Sequence, residues 1–495
     1  MTTLKSIILG SAAVLLASGA ASAADLPVKA KAVEYMKVCS LYGAGFYYIP
    51  GTDTCIKIGG AARLDTTFNG GTYDTPLFAG VGASGTRARD NFTSRARFGF
   101  NVDSRTNTEY GMLRTFANTQ MQWTDSKDTI AGGDFVLDFG FIQFAGFTMG
   151  KAVSAFDTQW VLAQPTISSG LVGGSDDKTG ILQFAYTAEF GNGFSSTISL
   201  EAPRVYRRGG VYDVNDAFGV PGISTATNSE AGSRMPDVVG NVRLDQTWGS
   251  LHFGAALHEV AMSYNGLTEA TGHYDSKYGY ALSGGFEIKN LPTGVNDTLR
   301  ADFTYAHGAS TYVFGGSQNT NRSGYGMFGQ SGLAGAYQSI GFGQYADAYF
   351  GSPGGAGVAD LQLSTDIGAR IFYEHYWSPT WRTSLFGTIA RHENTGTANG
   401  MLLAKLNAGG ALGVGSSGAV SGDLNFTVWQ IGTRTAWSPI KNLTFSAEVI
   451  YTKLETGLSG TLSPAAGYYA NKPSGPYEVK NQGTISGAVQ AVRSF

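Results

Sequence analysis

Charge is scarce in this 495-residue chain: Asp, Glu, Lys and Arg make up 14% of it, against about 25% in an ordinary soluble globule. The 34 basic and 37 acidic residues leave a net charge of -3, which excludes the basic footprint of a nucleic-acid partner. Two cysteines are too few for a disulfide-built scaffold. Proline is limited to 14 residues and tryptophan to 7. Long apolar runs are missing beyond the first residues, so a helical membrane protein is excluded. Glycine is abundant at 70 residues, with Tyr 25 and Phe 29. That aromatic content excludes a disordered chain. Gly-rich, aromatic-rich and charge-poor composition points to extended β structure with long loops.

The one apolar run is an export address. Lys5 supplies a positive start, Ile7 to Ala17 is mostly apolar, and Ala21-Ser22-Ala23 is a small-residue cleavage site. Residues 1–23 therefore read as a signal peptide and 24–495 as the mature chain. In an exported protein the pair Cys39 and Cys55 suggests one disulfide. Free thiols or half a metal site are the alternatives, and no His or Cys partner stands at zinc-like spacing.

Period-two alternation runs through the mature chain. Ile56, Ile58, Leu64 and Phe68 share one parity; Lys57, Arg63, Asp65 and Thr67 share the other. The same pattern recurs at 95–103, 241–258, 299–305, 429–437 and 443–451. It predicts strands with one apolar and one polar face. Short turns, such as 191–193, 249–250, 378–380 and 438–440, alternate with eight long loops. Those loops fall near 69–92, 120–133, 155–179, 205–236, 262–276, 308–362, 393–422 and 456–482. About sixteen strand-like segments lie between them, near the 9–11 residues of a tilted membrane strand. The layout predicts an all-β fold, a transmembrane antiparallel β-barrel with long outer loops and short periplasmic turns. A soluble sandwich of this size would need several domains, and no composition break marks one. Trp248, Trp377, Trp381 and Trp437 stand beside short turns, as an interfacial girdle requires.

Three stretches carry a family resemblance. They are Val38 to Gly60 (VCSLYGAGFYYIPGTDTCIKIGG), Phe141 to Lys151 (FIQFAGFTMGK), and the closing Arg493-Ser494-Phe495. Together they resemble the alphaproteobacterial (rhizobial type) general porins. A terminal Phe495 ending an alternating strand is similar to the assembly signal read by the barrel-assembly machinery. The resemblance implies a sixteen-stranded barrel in the outer membrane of a Gram-negative bacterium, embedded among lipid and lipopolysaccharide. It also implies a homotrimer whose third long loop folds into the pore. In such porins acidic loop residues face a basic wall row across the constriction. Here that implies Asp157, Asp176 and Asp177 on the loop and Arg63, Arg95, Arg97 and Arg114 on the wall. Mixed charges further along, including Arg243, Asp245, Arg300, Asp302, Arg434 and Glu448, suggest a broadly polar conduit.

Catalysis finds no footing. There is no G-x-S-x-G elbow, and His252 and His258, six residues apart, are about 20 Å apart along a strand. No cofactor or metal is implied. The expected function is passive diffusion of small hydrophilic solutes and ions. A substrate-specific channel, for sugars for example, and a surface adhesin barrel are the competing expectations.

Overall fold

The computed structural model describes residues 37–69, 90–125, 128–169, 171–175, 179–214, 228–264, 273–315, 324–351, 358–408, 417–464 and 475–495. The expected signal peptide, 1–23, lies outside them, as do Asp176 and Asp177.

Sixteen antiparallel strands form the barrel, each hydrogen-bonded to the next in chain order. They are β1 Thr54–Phe68, β2 Phe92–Thr108, β3 Gly111–Thr124, β4 Asp134–Phe144, β5 Phe147–Ala152, β6 Ile181–Gly191, β7 Phe194–Glu201 and β8 Asp237–Gln246. The second half is β9 Gly249–Val260, β10 Lys277–Lys289, β11 Thr298–His307, β12 Thr365–Tyr376, β13 Trp381–Glu393, β14 Ser417–Ile440, β15 Leu443–Ser463 and β16 Gln482–Ser494. β16 returns to pair with β1 from Ala61↔Ser494 to Phe68↔Gly487, and the sheet closes. Closure removes the sheet edges that a membrane would not tolerate.

Alternation sets the two faces. Ile58, Leu64, Phe98, Leu257, Phe303, Ile371 and Ile431 are exposed on the outer wall. Asp65, Arg95, His252, Asp302 and Glu448, of opposite parity, are turned inward and buried. The four tryptophans at the short-turn rim are exposed, and Trp381 stacks on Trp437 with centroids 5.6 Å apart.

Short turns close one end of the barrel. At Asn192-Gly193 both residues have positive φ, 50° and 75°, the geometry of a two-residue hairpin that follows the strand twist. A Cβ on Gly193 would lie 1.9 Å from the Asp245 carbonyl oxygen, so glycine is required there. Two turns sit beside the positions the sequence suggests. Thr247-Trp248 is the turn before Gly249, and Lys441-Asn442 follows Ile440. Asn442, at φ 66°, is the residue that reverses the chain.

Eight long connections crown the opposite end, and several are folded. β14 has 24 residues and β15 has 21, twice what a bilayer needs. Their outer parts bury Val420, Leu424, Leu458 and Leu462 in a core shared with Phe328, Phe342, Tyr349 and Tyr477. Helix α1, Gly396–Asn407, adds Met401, Leu402 and Leu406 to that core. Its N-cap Thr395 accepts a hydrogen bond from the Ala398 amide at 3.1 Å. Residues expected to be loops at 417–422 and 456–463 are thus strand. They pair because the cap core covers them above the membrane. The Cys39–Cys55 disulfide is present, with Cα atoms 6.1 Å apart. It closes a segment at the short-turn rim.

Candidate functional site

The described part of the third long connection, residues 153–169, 171–175 and 179–180, enters the lumen and lies against one side of it. A backbone folded inside a barrel must find partners for its amides and carbonyls, and the wall supplies them. Glu201 on β7 accepts from the Ala155 amide at 2.8 Å and the Ser154 hydroxyl at 2.7 Å. Asn241 on β8 donates to the Ala155 carbonyl at 2.6 Å. On β9, His252 Nε2 lies 3.1 Å from the Phe156 carbonyl. Arg300 on β11 donates to Ala163 at 2.7 Å, and Ser384 on β13 to Pro165 at 2.6 Å. Gln430 on β14 accepts from the Val172 amide at 3.2 Å. Glu448 on β15 accepts from Ile167 and Ser168 at 2.6 and 2.9 Å.

Apolar anchors reinforce this docking. Leu171 packs on Phe372, Phe386 and Ile450, which point inward from β12, β13 and β15. Burying one such side chain contributes about 1.5–3 kcal/mol. Phe156 and Val172 enter a second core with Tyr312, Val313 and Phe314 of the sixth connection, 308–364. Tyr312 donates to Asp237 at 2.7 Å, and His258 Nδ1 approaches the same carboxylate at 2.8 Å. Asp347 accepts from the Ser310 amide and hydroxyl at 2.7 and 2.8 Å. The sixth connection is thereby bolted to the wall beside the third. The polar wall from β7 to β15 therefore serves the loops to a large extent.

The opposite arc carries the basic row. Arg63 Nε binds both oxygens of Asp65, at 2.6 and 2.8 Å. Arg95 reaches Asp65 Oδ2 at 2.9 Å, and Gln490 of β16 reaches Oδ1 at 2.8 Å. Arg63 is the cross-strand partner of Arg97, and Arg97 Nε donates to Gln122 at 3.0 Å. Asp138 completes the group. A β-bulge between the Asn118↔Phe139 and Thr119↔Leu137 pairs turns it inward, where Gln120 donates to it. Three guanidiniums thus stand with two carboxylates on β1 to β4, two of them paired directly with Asp65.

The named residues separate into places. Arg63, Arg95 and Arg97 stand together. Arg114 lies nearer the short turns, where it binds Asp103 at 3.0 Å. Asp157 follows the segment pinned to β7 and β9; Ser175 donates to its carboxylate, and Arg207 lies 3.7 Å away. Asp138 escaped the sequence reading, although a signal exists. Leu137 and Ile142 are both exposed yet differ in parity, which marks the bulge. At the chain end Phe495 pairs with Gly60 through N–O distances of 3.0 and 3.2 Å and stacks on Phe98 at 5.8 Å.

Comparison with known proteins agrees with this architecture. The pattern of the porin subfamily matches residues 25–488. Porin Omp2b of Brucella suis biovar 1 (strain 1330) is 30% identical over 298 residues, covering 58% of this chain and 75% of that protein. Porin Omp2b of Brucella melitensis biotype 1 matches with the same identity and coverage. Among solved structures, the outer membrane channel DcaP of Acinetobacter baumannii aligns with a TM-score of 0.56 at 13% identity. That alignment covers 90% of this chain and 99% of DcaP, and it shows the fold. With its closed barrel, its lumen loop and this match along nearly all its length, the chain belongs to the porin subfamily, a diffusion channel of the outer membrane.

Proposed function

We propose that the constriction of this channel lies between the docked third loop and the arginine row of β1 and β2. One observation carries the reading. Among the described residues, the lumen contacts of the loop from Ser154 to Val172 run from β7 to β15, and the arc that holds Arg63, Arg95 and Arg97 faces them. Three cations against two carboxylates give that arc a positive excess, so small anions are favoured there. The solutes are small and hydrophilic, and passage is passive. Asp176 and Asp177 belong to the same loop and are proposed to moderate the excess from its side.

The finer features of the family resemblance belong to the same proposal. Residues 1–23 direct export, Phe495 serves the barrel-assembly machinery, and three copies associate among lipid and lipopolysaccharide. Single-channel recording in a planar bilayer tests the constriction. Replacing Arg95 and Arg97 by Ala is expected to move the reversal potential in a salt gradient toward cations. An unchanged reversal potential in a conducting variant refutes the assignment.

A further inference from the structure

A second basic group lies below the first. Arg105 and Arg114 are direct cross-strand partners on β2 and β3, close to the turn at 109–110. Like charges directly opposite destabilise a sheet, yet this wall repeats the arrangement of Arg63 and Arg97. One carboxylate is shared between them. Asp103 accepts from Arg105 Nε and Nη2 at 3.1 and 2.8 Å and from Arg114 Nε and Nη2 at 3.0 Å each. Lys57, exposed, is the cross-strand partner of Asp103 on β1. Two guanidiniums thus share one carboxylate, and Lys57 stands opposite it on the neighbouring strand.

Aromatic rings fix these cations in place. The Arg105 guanidinium centre is 4.9 Å from the Phe46 ring centroid and 5.8 Å from that of Tyr42. Lys57 Nζ is 5.8 Å from Phe46. Arg114 lies 5.1 and 5.4 Å from Phe116 and Phe141. Phe46 and Tyr42 belong to the segment that the Cys39–Cys55 disulfide closes. The Arg105 and Arg114 side chains keep 24% and 23% of their surface, against 3% for Arg95. Solutes can therefore reach the lower pair.

We propose that Lys57, Arg105 and Arg114 form a second anion-selecting station at the periplasmic mouth, for small carboxylates and phosphates, with the disulfide-closed segment as its positioning element. It rests on the reading of the chain as a diffusion channel. From Arg97 to Arg105 the strand rises about 26 Å, roughly three Debye lengths at physiological salt. The two groups therefore act independently. An anion about 7 Å from one unpaired cation in a water-like medium gains about one thermal energy, so removing one charge lowers anion occupancy about two- to threefold.

The test uses the whole protein in a planar bilayer, with citrate added to one side as the probe. Lys57→Gln, an exposed change, and the Arg105→Gln/Arg114→Gln pair are compared with the wild type. Citrate carries about three charges at neutral pH, so each removed cation is expected to raise the citrate concentration for half-block from the short-turn side about twentyfold, with a smaller change from the loop side. Reducing the disulfide is expected to weaken block of the wild type in the same direction and to have a smaller effect on the paired variant, which keeps only Lys57 beside Phe46. Unchanged block in a conducting Lys57→Gln channel overturns the station, even if the paired variant does not fold. Citrate block that weakens equally from both sides overturns its placement at the mouth. A wild-type barrel that passes no current overturns the channel reading itself, and the station with it.

Discussion

Glu448 is a two-amide latch on the lumen loop, and its removal has a calculable effect. Its carboxylate is 3% exposed and accepts two backbone amides, from Ile167 and Ser168. A hydrogen bond to a charged group contributes about 1.5–3 kcal/mol. Glu448→Ala therefore costs the docked loop at least about 3 kcal/mol. That raises the undocked population roughly a hundredfold, at about 1.4 kcal/mol per factor of ten. Arg434 is not stranded by the change, because Glu374 still binds it at 3.0 Å. Glu448→Gln keeps one acceptor and is expected to fall between the two. Hydrogen exchange of the peptide spanning 165–173, followed by mass spectrometry in detergent, reads the opening directly. Exchange at Ile167 and Ser168 should accelerate by about two orders of magnitude in the Ala variant, with open-channel current noise rising alongside. Exchange within fivefold of wild type in a folded variant would refute the claim that wall carboxylates hold the loop.

Two further outcomes follow from the rim and the seam. A Cβ on Gly60 would lie 2.3 Å from the Gly99 carbonyl oxygen and 2.7 Å from the Phe495 ring. Gly60→Val should therefore lower the folded yield severalfold on refolding, read as the heat-modifiable band in gels, and Phe495→Ala should relieve only part of that loss. Asp297, in the turn at 290–297, is pushed up by burial. Hydrogen bonds from Thr293, His375, the Tyr376 amide and Tyr373 outweigh that and hold its pKa at about 2. Its contribution to stability is full above about pH 4 and is lost as pH falls toward 2. Acid unfolding of wild type and Asp297→Asn should show a stability gap that is constant above pH 4 and closes below it. A gap that persists at pH 2 would count against the hydrogen-bonded carboxylate as its source.

The barrel was legible because a membrane strand writes its two faces into alternate residues. Ile58 and Leu64 against Arg63 and Asp65 give the inward direction before any pairing is known. Counting strands locates the third long gap, and the resemblance to the porins implies that this loop is the one that enters. Height along the barrel was less legible. Arg97 and Arg114 share lumen parity, but their separation depends on the tight turn at 109–110, and parity carries no register. Partners across the lumen were not legible at all. Glu448 and Ile167 are 281 residues apart in the chain, and nothing local marks a wall carboxylate as a latch for loop amides. The cap core was hidden for a similar reason. Val420 and Leu458 sit in Gly- and Ser-rich sequence that reads as loop until Phe342 and Tyr477 arrive to cover them.

The seam between β1 and β16 governs how this chain can be made. Ser486 donates to the Asn69 carbonyl across 417 residues of intervening chain. Bringing ends that far apart together costs about 5 kcal/mol of chain entropy, recovered only when the whole last strand zips home. Until then β1 offers a bare row of amides and carbonyls to any neighbouring chain. The polypeptide must therefore cross the periplasm open and shielded, and stay so until its final strand arrives. Losing a few residues of β16 would not yield a slightly weaker pore. It would leave a curled sheet with two reactive borders, prone to join its neighbours instead of itself.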